Sequence, residues 1–71
     1  MFKVVIYDGY NNPIKEEERP TYERAKKAAR FYAKKGQSIW CAVLYEEITY
    51  FWVESNGKEG ENYMAKVKGL I

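Results

Sequence analysis

The feature that most constrains the fold is one clearly bounded helix among segments with strand patterns. Thr21 is placed to cap its first turn, where the acidic Glu23 complements the helix dipole. Two lysines, Lys34 and Lys35, occupy the last turn, where the dipole favours positive charge. Gly36 follows as the residue expected in the left-handed position after a helix. The sequence therefore predicts a helix over residues 21–35.

The two sides of this helix differ in chemistry. On a helical wheel, the apolar side is alanine-rich and has aromatic margins, consisting of Ala25, Ala28, Ala29 and Tyr32 with Tyr22 and Phe31 at its edges. The opposite side carries a row of cations, namely Lys26, Lys27, Arg30 and Lys34. We expect the small alanines to let the helix approach a sheet closely, with the cations facing solvent.

The charges of the chain are unevenly distributed. Residues 21–35 hold six basic side chains and one acidic, which leaves six basic and nine acidic side chains elsewhere. The net charge of +2 therefore conceals a dipolar molecule. An oriented field of this kind steers encounters with a charged partner.

Strand patterns flank the helix on both sides. Residues 1–7 are rich in β-branched and aromatic residues and end at a turn signal, while the charged residues 14–18 are either an edge strand or a loop, the edge strand being favoured. Three further strands are predicted over residues 38–46, 48–54 and 61–68, the last with Tyr63, Ala65 and Val67 facing the core. Glu46-Glu47 is the expected turn before the second of them, and Asn56-Gly57 predicts a two-residue hairpin turn before the third.

These elements predict a single α+β domain over residues 1–71 with the order β(β)αβββ. Its one helix packs on one face of a four- to five-stranded antiparallel sheet. Because the strands around Glu46-Glu47 are apolar on both faces, we expect Trp40 and Trp52 to lie in the sheet, at least one of them on the face without the helix. An exposed apolar face of this extent is typical of an interface.

The composition argues against catalysis, metals and cofactors. The chain has no histidine and one cysteine, which excludes Ser/His and Cys/His pairs and leaves too few ligands for a structural zinc site. We therefore predict no catalytic residues, no metal site and no cofactor. The opening apolar stretch is too short for a signal peptide or a membrane span, so the expected location is the cytoplasm.

The layout of the chain resembles that of small early bacteriophage proteins, including some anti-CRISPR inhibitors. The resemblance covers residues 1–68 and rests on the short first strand, the helix segment and the later hairpin, with the sequences Thr21-Tyr22-Glu23-Arg24-Ala25-Lys26-Lys27-Ala28-Ala29, Val43-Leu44-Tyr45-Glu46 and Tyr50-Phe51-Trp52-Val53-Glu54-Ser55-Asn56-Gly57-Lys58. It implies a protein that occupies a surface of a host machine without catalysing a reaction, in the cytoplasm of a bacterial host cell if a phage encodes it. It assigns a role to no individual residue.

Two functional hypotheses follow. The first is a non-catalytic inhibitor that binds a protein partner with an acidic or nucleic-acid-binding surface, with a homodimer through the sheet as a further expectation. The alternative is a small nucleic-acid-binding module whose basic helix side follows phosphates while sheet aromatics stack on bases. No membrane partner is expected. The predicted partner-binding residues are Lys26, Lys27, Arg30, Phe31, Lys34, Trp40 and Trp52.

Overall fold

The computed structural model describes residues 1–36 and 39–70. The elements follow in the order β1 (Phe2–Tyr7), β2 (Pro13–Arg19), α1 (Tyr22–Lys35), β3 (Trp40–Tyr45), β4 (Ile48–Glu54), β5 (Glu59–Glu61) and a single helical turn, α2 (Met64–Val67). The predicted α+β class and the five-stranded form of β(β)αβββ are confirmed. Ser38, expected at the start of a strand, lies outside the described residues.

The five strands form one antiparallel sheet in the order β2-β1-β3-β4-β5. The acidic segment predicted as an edge strand is β2, which begins at Pro13, a residue that cannot donate a ladder hydrogen bond. Its charged side chains protect this edge from pairing with another molecule. The first strand lies inside the sheet, paired with β2 on one side and β3 on the other.

Helix α1 lies on one face of the sheet. The Thr21 hydroxyl accepts a hydrogen bond from the Arg24 backbone N–H at 3.2 Å, which confirms the predicted cap. Its alanines pack against alternate residues of the central strands, and this contact forms the main core. The core residues include Val4, Ile6, Ala25, Ala29, Ala33, Cys41, Val43, Phe51 and Val53.

The segment predicted as a last strand over residues 61–68 is largely not a strand. Strand β5 ends at Glu61, because the next residue turns the chain: the Asn62 side-chain oxygen accepts from the Met64 N–H at 3.0 Å and the Asn62 carbonyl accepts from the Ala65 N–H at 2.9 Å. Ala65 still reaches the core, as expected. Tyr63 and Val67, predicted to face the core, are 77% and 67% exposed.

Two glycines differ from their predicted roles. Gly36 ends α1 with φ of −98°, outside the left-handed region, and its small size matters instead because a Cβ there would collide with the Ile39 side chain. Between β4 and β5, Gly57 has φ of 90° while Asn56 does not adopt positive φ. The Gly57 N–H bonds to the Glu54 carbonyl and the Glu54 N–H to the Lys58 carbonyl, so the loop has three residues, not two.

Within the described residues, no helix combines the length and apolar character needed to cross a membrane.

Candidate functional site

A groove on the flank of α1 collects an exposed aromatic side chain and several cations. We call it the helix groove; it has a volume of about 460 Å³ and is lined by Arg19, Pro20, Arg24, Lys27, Ala28, Phe31 and Tyr32. Arg24, Lys27 and Phe31 are spaced three and four residues apart on α1, so they lie along one side of the helix. Phe31 is 54% exposed, so a large apolar surface lies directly beside these cations.

The Phe31 ring is held by its helical neighbours. The Tyr32 ring meets it edge-on, with centroids 5.5 Å apart and planes at 73°. The Lys35 ammonium lies 4.6 Å from the Phe31 centroid, within the range of a cation–π contact. These contacts keep the ring on the surface at the edge of the groove and add a further positive charge beside it.

The wall of the groove nearest β2 is organised around Glu17. Its carboxylate accepts from the Tyr32 hydroxyl at 2.7 Å and from Arg19 at 2.8 Å, and it also pairs with Lys15 at 3.0 Å. The hydrogen bond from Tyr32, with those from Lys15 and Arg19, lowers the pKa of Glu17 from 4.5 to about 2. Arg19 is therefore neutralised within the molecule.

Arg24 and Lys27, which also line the helix groove, differ from Arg19 in their ion pairing. Both are exposed, and neither lies within 4.0 Å of a carboxylate among the described residues. Their charges remain available to a partner.

Lys26 was predicted on the solvent side of the helix, and this placement is wrong. The side chain is buried, with 8% of the residue exposed. Its ammonium lies 3.2 Å from the Glu61 carboxylate and 3.4 Å from that of Glu23, and 4.7 Å from the Tyr22 ring centroid. Lys26 lies beside Ala25 and Ala29 on the wheel, and its long stem reaches past the helix to the β5 edge. It therefore links α1 to β5.

The Tyr22 hydroxyl completes this cluster. It donates to the same Glu61 carboxylate at 2.6 Å and lies 3.2 Å from the Tyr50 carbonyl oxygen. Burial, and then the hydrogen bond to Glu61, raise the pKa of Tyr22, while that hydrogen bond and Lys26 keep the pKa of Glu61 below its ordinary value.

The charge of Arg30 is also paired within the molecule. Its guanidinium donates two hydrogen bonds to the Glu59 carboxylate, at 2.8 and 3.1 Å, and lies 5.1 Å from the Phe51 ring centroid. This bidentate pair lowers the pKa of Glu59. Arg30 remains on the exposed side of α1, as predicted, but its charge is satisfied.

The two tryptophans lie on the other face of the sheet. Trp40 is opposite Glu54 and Trp52 is opposite Ala42 in the β3–β4 ladder, whereas the alternate residues Cys41 and Val53 belong to the core under α1. The prediction that at least one tryptophan lies on the face without the helix is therefore confirmed, and Trp52 is 37% exposed there.

The predicted set of binding residues is therefore divided in two. Lys27, Phe31 and the exposed Lys34 lie on α1, while Trp40 and Trp52 lie across the sheet from it. Within residues 1–36 and 39–70, the two groups are separated by the sheet. Arg24 was missed, although its spacing of three residues from Lys27 and seven from Phe31 was a sequence signal that could have identified it.

Cys41 is buried, and burial raises the pKa of its thiol to about 11, which suppresses the reactive thiolate. No cluster of three His, Cys, Asp or Glu residues suitable for a metal ion occurs between residues 1 and 36 or 39 and 70.

No protein-family model, curated protein or solved structure matches the chain.

Proposed function

We propose that this chain is a non-catalytic binding protein that docks the helix groove on an acidic surface of a protein partner. The observation that carries the proposal is the half-exposed Phe31 beside two cations, Arg24 and Lys27, that have no carboxylate within 4.0 Å in residues 1–36 and 39–70. Large aromatic side chains and arginines account for much of the binding energy at protein interfaces. The charges steer the encounter, and burial of the ring then holds the complex.

The proposed consequence of docking is inhibition, in the manner of the small phage proteins whose layout the chain resembles. A protein of this size blocks a partner by covering a functional surface, and such a mechanism needs no catalytic group. Self-association through the sheet remains a prediction.

Nucleic-acid binding is the weaker alternative. It was expected to combine basic helix side chains with stacking aromatics of the sheet. These two groups lie on opposite faces of the sheet, so they do not form one continuous nucleic-acid surface. In the helix groove itself, Phe31 is the exposed aromatic side chain beside the basic residues.

The test begins with capture from bacterial lysate, with and without nuclease, followed by affinity measurements against the captured partner. We compare the wild type with Phe31→Ala and with the double variant Arg24→Glu/Lys27→Glu. The matched control is Lys66→Glu/Lys68→Glu, which makes the same charge change on exposed residues away from the groove. Circular dichroism checks that each variant is folded. We expect all of them to fold, because exposed helix charges alter the free energy of unfolding by only about 0.5 kcal/mol.

We expect the Arg24→Glu/Lys27→Glu variant to bind about tenfold to a thousandfold more weakly, since repulsion replaces attraction, while the control binds normally. Phe31→Ala should weaken binding without changing its salt dependence. Unchanged affinity in a folded groove variant would contradict the proposal. Capture that is lost with nuclease and falls steeply with salt would favour the nucleic-acid alternative.

A further inference from the structure

The sheet face opposite α1 has a second groove of different chemistry. We call it the tryptophan groove; it has a volume of about 450 Å³, and its walls include Trp40, Trp52, Glu54, Asn11 and Ser55. The antiparallel register explains the arrangement: Glu54 faces Trp40 across the ladder and lies two residues beyond Trp52 on the same face of β4. A carboxylate is thereby placed beside two indoles.

Trp40 is held in one orientation before any partner binds. Its indole N–H donates to the Asn11 side-chain oxygen at 2.9 Å, and the Tyr7 ring stacks on it with centroids 4.1 Å apart and planes at 10°. Asn11 is itself fixed in a turn with φ of 65°, because the Asp8 carboxylate accepts from the backbone N–H groups of Tyr10 and Asn12.

Trp52 is held in place by packing over a glycine of the neighbouring strand. Its indole covers Gly60, the residue paired with it on β5, so closely that a Cβ at Gly60 would collide with the ring. A glycine under an aromatic ring on a neighbouring strand is a recognised packing arrangement in sheets. Both indoles are therefore preorganised, which reduces the entropy lost on binding.

The charge of the groove comes from Glu54. This residue is exposed, and no Lys or Arg nitrogen in residues 1–36 and 39–70 lies within 4.0 Å of its carboxylate. The other wall residues, Trp40, Trp52, Asn11 and Ser55, carry no charge. Two indole π-systems with one uncompensated carboxylate favour a cation.

We propose that the tryptophan groove binds an arginine side chain of a protein partner. A planar guanidinium stacks on an indole and also donates two parallel hydrogen bonds to a carboxylate, which a lysine ammonium cannot do. Arginine is also more weakly hydrated than lysine and so is desolvated more readily. This surface is independent of the helix groove, since it lies on the other face and has the opposite charge preference.

The test uses the peptide acetyl-Gly-Gly-Arg-Gly-Gly-amide and the same peptide with citrulline, a neutral isostere, in place of arginine. Both tryptophans of the chain line this groove, so fluorescence and the two indole N–H resonances report binding directly. Glu54→Gln removes the charge with little change in shape. Glu18→Gln is the matched control, because Glu18 is an exposed acid on the same face of the sheet. It lies opposite Lys3 in the β1–β2 ladder, at the other end of β1 from Tyr7.

We expect saturable binding of the arginine peptide that is at least about tenfold tighter than that of the citrulline peptide. Glu54→Gln should reduce this difference severalfold, leaving only the contribution of the two indoles, while keeping the thermal melt of the wild type, and Glu18→Gln should preserve it in full. Three results would each overturn the proposal: no saturable response to the arginine peptide, equal affinity for both peptides, or equal losses in Glu54→Gln and Glu18→Gln. None of these outcomes depends on the helix groove or its partner.

Discussion

Adjacent lysines on α1 have opposite roles, although the sequence presents them as equivalent. Lys27 is exposed at the helix groove, whereas Lys26 is buried against Glu61 and the Tyr22 ring. A helical wheel places the two residues 100° apart and does not show how far a flexible stem reaches. The acidic residues of β5 were visible in the sequence, but their position beside α1 depends on the tertiary fold.

This difference predicts unequal effects on stability. Lys26→Met keeps the apolar stem but leaves Glu61 without its cation, so we expect it to lower the free energy of unfolding by about 2 kcal/mol, less than for a fully buried pair because Glu61 is partly exposed. Lys27→Met should change it by no more than about 0.5 kcal/mol. Urea denaturation measures both, and equal effects would contradict the assigned roles.

At the scale of elements, the sequence correctly indicated the positions of most strands and turns but not the type of each turn. Alternating apolar residues identified β1, β3 and β4, because each buries at least one face. Asn56-Gly57 carries the strongest hairpin signal yet forms a three-residue loop, while Glu46 and Glu47 both adopt positive φ, at 51° and 67°. The strands on either side determine these turns, and they override local preference.

The Glu46-Glu47 turn therefore offers a stabilising substitution. Glu46→Asn/Glu47→Gly replaces two residues that are strained at positive φ with the pair that this turn type prefers, and we expect the free energy of unfolding to rise by about 1 kcal/mol. The Lys3–Glu47 ion pair that is lost is long, at 3.8 Å, and exposed, so its removal should matter little. Thermal and urea unfolding measure the change.

Gly57→Ala tests the same reasoning in the opposite direction, because it adds a side chain at a residue with positive φ. Nothing lies within 4 Å of the position that its Cβ would occupy, so only its φ of 90° resists the substitution. It should lower stability by about 1 kcal/mol. Stabilisation by this variant, or destabilisation by the Glu46-Glu47 replacement, would show that backbone strain does not control these turns.

At the scale of the whole molecule, carboxylates attach the helix to both edges of the sheet. Glu17 on β2 binds Tyr32, while Glu59 and Glu61 on β5 bind Arg30 and Lys26. One helix cannot cover five strands, and the apolar contacts of α1 lie mainly over the central ones. Hydrogen bonds and ion pairs thus hold the helix to the edge strands β2 and β5, beyond the central strands that its apolar side chains contact.

This arrangement predicts sensitivity to acid. All three carboxyls have pKa values lowered by these contacts, that of Glu17 from 4.5 to about 2. A carboxyl with a lowered pKa in the folded state stabilises the protein above its ordinary pKa, and this contribution disappears as the pH falls through the folded value. We therefore expect the free energy of unfolding to decrease from about pH 4.5 towards pH 2, as measured by urea denaturation at each pH.

Glu17→Gln tests the assignment, because the amide still accepts a hydrogen bond from Tyr32 but does not titrate. The variant should show a shallower decrease over the same interval. Glu46→Gln, an exposed turn residue without an ion pair in the described part of the chain, should retain the wild-type slope. Identical slopes for all three proteins would exclude Glu17 as a source of the acid sensitivity.

The position of β1 inside the sheet has a consequence for folding kinetics. The β1–β2 and β3–β4 hairpins each join neighbouring segments, whereas the β1–β3 ladder pairs residues about 30 to 40 positions apart in the chain. Closing that long loop loses chain entropy before the ladder and the core beneath α1 repay it. We therefore expect docking of the two hairpins along β1 and β3 to limit the folding rate, with the Val4–Val43 pair formed in its transition state, which folding and unfolding rates of Val43→Ala would check.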